Sequence, residues 1–429
     1  MDSLLLSPRA FAEPVEWGFT TDAKFETLDW PKSYGEDTNN TLNRLELVPT
    51  LTGKYEENYR LFFKPEIFLD PQNNSASERT YLDIGEAYVK YKDDNITIQV
   101  GSNILNWGVT DGYNPLDVVN MHQYFDPLHS RKLGAPSIIL SKAYEHSDIE
   151  LTYIPQNRSS QLPGVHSRWL PREVFIPESA ATDGVVLLLP GNLNYSYAPR
   201  ETLNYALDNN AALRWQWHLT NIDLAVYAYN GAASFPLVEP EVTGNILQVS
   251  PKTIVQVDPD VILHTKNYRL QQSGFSWVSS QWDFLFKFAT SYSQSIGNDD
   301  LLPGWTHESI LGVEKTMSFL SSGTLTAIFQ HSVVETQVQT PSNLSVMEIF
   351  RNAWMLGGHG TWGDLWSSNA FILYDDNHYS RFIEISLARK FVDIWTLQLT
   401  ADLIAGPSDT ALGIYHDNSS YSLDLSRSF

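Results

Sequence analysis

The chain has 429 residues, no cysteine, 13% aromatic residues and a formal net charge of −22. Nucleic-acid partners are bound through clustered lysine and arginine, so this acidic balance argues against them. No run approaches the ~18 consecutive apolar residues of a membrane-spanning helix, so such a chain crosses a membrane only as a β-barrel. Aromatic richness without thiols fits passage through an oxidising periplasm to an outer membrane, although a soluble secreted β-protein has a similar composition.

The first twelve residues have features of a secretory signal. Residues 4–6 are all leucine, and residues 10–12, Ala-Phe-Ala, fit the small-x-small cleavage pattern. A full signal also has a longer apolar core and a basic start, which are missing here. We therefore predict that residues 1–12 are the remnant of a signal peptide and that residues 13–429 form one domain.

From residue 13 onward the chain divides into runs in which apolar and polar side chains alternate. A two-residue period is that of a β-strand, whose successive side chains point to opposite faces. The number of predicted strands is even. They cover residues 16–30, 43–57, 59–69, 80–92, 96–109, 137–145, 148–155, 206–219, 222–230, 261–279, 282–295, 307–319, 324–335, 349–362, 365–375, 381–391, 394–405 and 420–429.

The connections between these strands alternate in length. Short turns of turn-forming residues lie at 57–58, 93–95, 146–147, 220–221, 280–281, 321–323, 363–364 and 392–393. Long polar connections lie at 33–40, 70–78, 111–136, 156–203, 231–259, 297–306, 338–346 and 407–419. Sorting of this kind is typical of an even-stranded outer-membrane barrel with both ends in the periplasm. The longest inserted loops of the predicted domain are 111–136 and 156–203.

Alternation alone does not separate a barrel from a soluble β-sandwich, because both have one apolar face. Trp395, Leu397 and Leu399, for example, alternate with Thr396 and Gln398. Strand length favours the barrel, since ~9–11 residues tilted by ~45° cross a bilayer, whereas strands of globular proteins average ~5–6. We predict an all-β fold, a transmembrane antiparallel β-barrel of about 18 strands, with short periplasmic turns and long extracellular loops.

The last strand carries its own membrane pattern. Tyr421, Leu423, Leu425 and Phe429 share one face, and Arg427 is the exception on it, at a depth where a cation near the headgroups costs little. An edge strand of a soluble sandwich has the same pattern. The stretch resembles the final strand of bacterial outer-membrane β-barrels, which implies that Phe429 is an assembly signal recognised by the barrel-assembly machinery.

A second resemblance lies in residues 86–117. The pattern EAYV…G…WG..DG.NP.D resembles outer-membrane barrels of a porin-like, alginate-export-like family. It is carried by Gly101, Trp107, Gly108, Asp111, Gly112, Asn114, Pro115 and Asp117. The resemblance implies that the chain after the Trp-Gly pair turns into the lumen and narrows it. Glycine there permits backbone angles that a β-carbon forbids, and Asn-Pro favours a turn.

We therefore interpret residues 111–136 as a constriction loop. The alternative is an ordinary extracellular loop whose charged and aromatic side chains are merely solvated. The predicted pore or constriction residues are Trp107, Asp111, Asn114, Asp117, His122, Asp126, His129, Arg131 and Lys132.

The second long loop, residues 156–203, carries Arg158, Arg168, Trp169 and Arg172, followed by an apolar run at 184–190. Apolar side chains in a loop that faces water are expected to be buried against another surface. The run plugs the lumen, packs on the first loop, contacts lipid or a partner, or takes part in plain loop packing, and the last of these is favoured.

Charged residues at inward positions of the predicted strands are a further candidate site. Rings of such charges set ion preference in a lumen, but barrels also use them as mutual structural pairs, and the sequence leaves both readings open. The predicted lumen-wall residues are Arg60, Lys64, Glu66, Glu86, Lys90, Arg214, Lys287 and Glu384.

The sequence contains few features that would indicate an enzyme. His146 and Ser147 are adjacent in a turn, where neighbouring side chains point apart, and no other Ser/His arrangement suggests a hydrolase. No His-Glu-x-x-His spacing and no glycine-rich phosphate loop occur. We expect no enzyme activity, no cofactor and no metal.

The predicted function is an outer-membrane channel, a porin or exporter pore for small polar or hydrophobic solutes, narrowed by inward loops. The alternative is a non-conducting barrel that serves as a structural or docking component of an envelope complex. Expected partners are outer-membrane lipid, lipopolysaccharide, the assembly machinery and an envelope transport complex. The sequence names neither the solute nor the direction of transport.

Overall fold

The computed structural model describes residues 15–33, 40–70, 79–171, 185–188, 190, 193–297, 299–319, 322–338, 346–392 and 394–429. The predicted signal remnant, residues 1–12, lies outside these ranges. Eighteen antiparallel strands form a closed barrel wall. We number the wall strands β1 (Glu16–Asp29), β2 (Thr41–Tyr55), β3 (Tyr59–Leu69), β4 (Tyr81–Lys92), β5 (Ile96–Asn103), β6 (Ala135–Ala143), β7 (Ser147–Gln156), β8 (Asp208–His218), β9 (Ile222–Ala232), β10 (Arg269–Gln281), β11 (Phe284–Ile296), β12 (Trp305–Phe319), β13 (Gly323–Gln337), β14 (Asn352–Trp362), β15 (Trp366–Asp375), β16 (Ser380–Phe391), β17 (Trp395–Ala405) and β18 (Ser420–Ser428).

Each predicted strand corresponds to one wall strand, so the predicted fold class is confirmed. Every wall strand pairs with its neighbour in the sequence, and β1 pairs with both β2 and β18, which closes the ring. Closure leaves no sheet edge in the wall.

Two predicted strands extend more than five residues beyond an end of the wall strand they match. The predicted strand 96–109 leaves the wall after Asn103, and the predicted strand 261–279 contains a break at Tyr268. Residues Thr253–Asn267 before that break form a separate strand beyond the wall. Alternation continues across both points, which is why the sequence pattern alone did not mark them.

A smaller five-stranded sheet lies on the side of the long loops. Its central strand, Thr253–Asn267, pairs antiparallel with Leu237–Gln248. It also pairs in parallel with Val185–Leu188, Asn194–Tyr197 and Glu201–Thr202. The predicted loop 231–259 is therefore a hairpin for much of its length. The apolar run of the second loop supplies an edge strand of this sheet, which is packing within the loops themselves.

The remaining elements are short. The strands His122–Gln123 and Arg131–Lys132 pair with each other, and the described residues include three 3₁₀ helices, Pro127–His129, Leu203–Tyr205 and Gly413–Asn418. One α-helix, Val346–Ile349, is found in the described ranges. A search of those ranges for a helix with the length and apolarity to span a membrane found none.

The two faces of the wall differ as the alternation predicts. Large apolar side chains on the outer face are open to the surroundings: Val89, Leu311, Leu356, Ile385 and Leu399 are each 52–54% exposed. Burial in the protein does not explain apolar side chains at these positions, whereas contact with lipid does. The outer face is thus suited to a bilayer and the inner face to water and polar contacts.

The closing strand places Arg427 among aromatic rings. Its guanidinium lies 4.1 Å from the ring centroid of Phe429 and 5.1 Å from that of Trp395 on β17. The Phe429 amide donates to the Thr21 carbonyl of β1 at 2.9 Å. The cation on the apolar face is therefore held by ring faces, a favourable arrangement for arginine.

Candidate functional site

Residues 104–134 leave the wall after β5 and return to it at β6, and between these points they run inside the barrel. The departure is fixed by Asn103, which is 1% exposed. Its side-chain amide donates to Ser137 Oγ at 2.8 Å, and its Oδ1 accepts from Gln99 at 2.6 Å. These hydrogen bonds hold the Asn103 side chain in the wall at the last residue of β5, and the chain turns inward after it.

The Trp-Gly part of the sequence motif forms a tight turn with Asn114. Asn114 Nδ2 donates to the Trp107 carbonyl at 2.6 Å, and its Oδ1 accepts from the Leu116 amide at 3.1 Å. Gly108 has φ +104, and a β-carbon on it would lie 2.0 Å from Asn114 Oδ1. Only glycine fits this turn. The indole of Trp107 donates to Glu150 of β7 at 2.9 Å.

The first arm of the segment reaches the far wall. Asp111 lies 2.9 Å from Lys287 of β11, and the Gly112 amide donates to Gln330 of β13 at 2.9 Å. Tyr113 donates to Glu308 of β12. Strand β13 is eight positions from β5 in the ring of 18, so this arm crosses nearly the whole lumen.

Tyr113 is a half-buried polar anchor of the first arm. Its ring stacks on Phe350 at 4.2 Å between centroids. Burial, followed by the neighbouring carboxylate of Glu308, raises the pKa of the Tyr113 phenol well above its ordinary value. The phenol therefore stays protonated and acts as a hydrogen-bond donor.

Asn120 closes the neck of the segment. Its Oδ1 accepts from the Leu105 amide at 2.8 Å, and its Nδ2 donates to the carbonyls of Asn103 and Leu133 at 2.9 Å each. Asn120 is fully buried. One side chain thereby joins the outgoing and returning strands of the segment, a role that no sequence signal marked.

The second arm is a hairpin, residues 121–133, whose tip is the 3₁₀ turn Pro127–His129. Asp126 caps this turn, accepting from the Leu128 amide at 3.0 Å. Arg131 pairs with Glu66 of β3 at 3.3 Å and with Glu46 of β2.

The base of the hairpin carries a second ion pair. Lys132 pairs with Asp117 at 2.7 Å. His122 lies beside this pair, and burial, with a further contribution from Lys132, lowers the pKa of its imidazole despite the opposing effect of Asp117. His122 is therefore held mainly in its neutral form inside the hairpin.

His129 brings the hairpin tip to β16 and β17. Its Nδ1 lies 3.2 Å from Asp126 Oδ2, and its Nε2 lies 3.7 Å from Glu384 Oε2 and 3.8 Å from Asp402 Oδ2. Burial disfavours the charged imidazolium, but the contacts with Asp126 and Glu384 and the charge of Asp402 outweigh it and raise the pKa of His129 to about 11.

The eight predicted wall charges all occupy inward-facing register positions, and the structure divides them into two groups. Glu66, Lys287 and Glu384 meet the internal segment, while Arg214 pairs with Glu150 at 3.3 Å. The other four lie together on β3 and β4, toward the short-turn end: Arg60, Lys64, Glu86 and Lys90.

Three cations form a row across β2, β3 and β4. Arg60 is directly opposite Lys54 on one side and Lys90 on the other. We call Lys54, Arg60 and Lys90 the basic row. Among the described residues none of the three has a carboxylate within 4.0 Å, although like charges directly opposite each other destabilise a sheet. Lys54 was not among the residues predicted from the sequence. Its position directly opposite Arg60 in the paired strands identifies it.

The second long loop covers the first. The Gln161 side chain accepts from Gln123 of the hairpin at 2.8 Å, and Arg158 pairs with Asp83 of β4 at 2.9 Å. Further along, Arg168 donates to Asn418 Oδ1 at 3.0 Å, and Trp169 packs against Tyr415. These contacts carry the loop from β7 to the connection before β18. Arg172, also singled out from the sequence, lies outside the described residues.

Comparison with known proteins supports the fold. No protein-family model matches the chain, and no curated protein matches it. The structure is similar to Acinetobacter baumannii OccAB1, with TM-score 0.53, 9% identity and 98% of each chain covered. It is also similar to Pseudomonas aeruginosa OccK3 (OpdO), with TM-score 0.52, 8% identity and 96% of each chain covered. Identities this low show a shared barrel fold alone; neither the alginate-export-like family nor its hairpin motif is confirmed by them.

Proposed function

We propose that this protein is an outer-membrane diffusion channel for small polar solutes, narrowed by residues 104–134. The observation that carries the proposal is the set of contacts that pins this segment across the lumen, from Asn103 on β5 to Lys287 and Gln330 on the far wall. An 18-stranded barrel is wide enough to enclose an aqueous lumen. A segment fixed across such a lumen sets the size of what passes.

The proposed solutes are anions or polar molecules with an anionic group. The basic row supports this, because three cations with no carboxylate within 4.0 Å repel one another and favour a visiting anion, although Glu16 of β1 is opposite Lys54 in the register. Rings and clusters of inward basic side chains attract anions in pores. Hydrophobic cargo, which the sequence left open, receives no comparable support from the inward face.

In this proposal the partners are those of an outer-membrane protein: lipid and lipopolysaccharide around the apolar outer face, and the assembly machinery that inserts it. The competing function is a non-conducting barrel that docks an envelope complex. The same internal segment supports this alternative. Two arms cross the lumen and a second loop covers them, so the barrel conducts little if they leave no continuous water-filled path.

Planar-bilayer recording of the refolded protein tests the proposal. We expect discrete current steps and, in a salt gradient, a reversal potential on the anion-selective side. A variant with Lys54→Gln, Arg60→Gln and Lys90→Gln should move that potential toward cation selectivity. Lys142→Gln is the matched control, because Lys142 lies on the outer face over the ring of Tyr144.

Two outcomes would contradict the proposal in different ways. Absence of current steps from correctly folded protein favours the docking barrel. Current steps with a reversal potential that the triple variant leaves unchanged would keep the channel but remove the anion preference.

A further inference from the structure

Two carboxylates face the tip of the hairpin from neighbouring wall strands. Glu384 of β16 and Asp402 of β17 are directly opposite each other in the strand register. Asp402 is 5% exposed; its Oδ2 accepts from Ser420 Oγ at 3.5 Å, and its Oδ1 has no hydrogen-bond partner among the described residues. Opposed carboxylates repel each other, and a buried carboxylate oxygen without a partner costs free energy. The pair therefore calls for a cation aimed between the two side chains.

His129 approaches this pair with one ring nitrogen. Its Nε2 lies 3.7 Å from Glu384 Oε2 and 3.8 Å from Asp402 Oδ2, and the three ligand atoms lie within 4.8 Å of one another. These distances are too long for hydrogen bonds. They are near the roughly 3.4 Å that separates ligand atoms around a tetrahedral ion with bonds of about 2.1 Å.

The other ring nitrogen is already oriented. Asp126 Oδ2 lies 3.2 Å from His129 Nδ1, so a carboxylate fixes the ring with Nε2 directed at Glu384 and Asp402. Metal-binding histidines have this arrangement, with one nitrogen on the ion and the other donating to an oxygen that sets the tautomer. Asp126 is thus a positioning residue, and it also caps the turn that carries His129.

We propose that His129, Glu384 and Asp402 bind one divalent transition-metal ion of the Zn²⁺ class. One imidazole nitrogen and two carboxylate oxygens suit Zn²⁺, Co²⁺ or Ni²⁺. Ca²⁺ takes six to eight oxygens and Mg²⁺ a near-octahedral oxygen shell, so neither fits this set. The His129 side chain is 46% exposed and that of Glu384 30% exposed, which leaves a position for water or for a solute ligand.

The ion would join the hairpin to the wall. Its ligands come from the segment inside the barrel and from two strands on the side of the ring that the first arm does not contact. The ligands are far apart in sequence, which explains why no spacing motif predicted a metal. This site is independent of the channel proposal, since binding is measured without a membrane current.

Metal titration of tag-free protein in detergent, after treatment with a chelator, tests the site. We expect one Co²⁺ per chain with visible ligand-field absorption, displaced by Zn²⁺ and not by Ca²⁺. His129→Ala, Glu384→Gln and Asp402→Asn should each weaken binding at least tenfold. Asp126→Asn should weaken it by roughly 10–100-fold, the usual effect of losing the partner that orients a ligand.

Two matched controls keep the test specific. His218→Ala removes an imidazole that touches Asp148 at 2.8 Å and Asp223 at 2.9 Å, but through different ring nitrogens, so no two carboxylates converge on one of them. His146→Ala removes an exposed imidazole of a short turn. Neither should change the affinity.

Heat-dependent migration on a denaturing gel identifies variants that have not folded, and Glu384→Gln preserves the side-chain shape. The proposal is overturned if folded wild-type protein binds neither Co²⁺ nor Zn²⁺. It is equally overturned if the His129→Ala and Glu384→Gln variants bind as the wild type does, or if Ca²⁺ competes as well as Zn²⁺.

Discussion

Lys287 Nζ lies 2.9 Å from Asp111 Oδ2 and 2.6 Å from Glu314 Oε2, so a single wall cation links the tip of the internal segment to β12. The ammonium group is largely enclosed, and its three-way contact holds Asp111 against a wall that already carries a carboxylate. Without the cation, Asp111 and Glu314 would repel each other. Lys287 therefore shares the anchoring of the first arm with Gln330, which donates to Asp111 Oδ2 at 3.1 Å.

Lys287→Met should release the tip. Asp111 is nearly half exposed, so the loss is that of a screened pair, about 1 kcal/mol, or roughly fivefold in the population of a displaced tip. We expect larger and noisier single-channel currents. Lys390→Met is the control, because Lys390 also faces inward but contacts no part of the segment among the described residues. Unchanged open levels in Lys287→Met would show that the contacts with Gln330 and Glu308 suffice to hold the tip.

Asn120→Leu should loosen the whole segment. The substitution leaves the Leu105 amide and two carbonyls without their partner in a buried site, at a cost of roughly 1–3 kcal/mol for each unsatisfied group. Limited proteolysis within residues 104–134 and the thermal unfolding midpoint measure the effect. Asn377→Leu, at an exposed loop position, should leave both unchanged. Equal protease resistance of the two variants would contradict the role given to Asn120.

The alternation of apolar and polar residues predicted the strands of the barrel wall, and the same alternation hid the five-stranded sheet beyond it. Period-two alternation is a local property, and β3 (Tyr59–Leu69) coincides with its predicted bounds. In Thr253–Asn267, Val261 and Leu263 are buried on one face just as they would be in a barrel strand. Alternation reports a half-buried strand and not what covers it, so the break at Tyr268 gave no signal.

Contacts inside the barrel lie beyond such local patterns. The motif placed Gly112 in a turn, but its contact with Gln330 depends on the diameter of the closed ring and on the length of the first arm. The same holds for His129 with Glu384 and Asp402. The sequence shows which type of residue lies at the end of each arm. Which wall residue it contacts is decided by the closed ring of strands and cannot be read from a local pattern.

Acidification should loosen the hairpin through His122. Because the pKa of His122 is lowered in the fold from its ordinary 6.5, the unfolded hairpin binds more protons between the two values. The contribution of His122 to stability is therefore complete above pH 6.5 and declines as pH falls toward the folded pKa. Asp117, Lys132 and Tyr124 face the ring, and Lys132 adds to the penalty for a second positive charge.

Hydrogen exchange of residues 121–133 between about pH 7.5 and about pH 5, corrected for intrinsic rates, measures this change. His122→Gln, neutral throughout, should remove the part of the pH response that comes from this ring. His264→Gln, on the sheet beyond the wall, is the control. His129 titrates outside this window, because its pKa is raised to about 11, and binding of the proposed ion at Nε2 would displace its proton. A response that persists fully in His122→Gln would assign it to other groups.

Phe429→Ala should affect assembly in cells more than stability in detergent. The ring is 58% exposed, and the substitution removes its contact with Arg427 while leaving the backbone pairing with Thr21 intact. An exposed cation–π contact contributes about 0.5–1 kcal/mol, too little to prevent folding of an 18-stranded barrel. If the assembly machinery recognises the ring, the amount of folded protein in the membrane falls sharply, while unassisted refolding is nearly unchanged. Phe429→Tyr keeps the aromatic face and should behave as the wild type in both assays. Because Phe429 contributes no charge to the lumen, the molecules that do assemble should conduct normally; a parallel loss in both assays would instead make the ring part of the closing contact between β1 and β18.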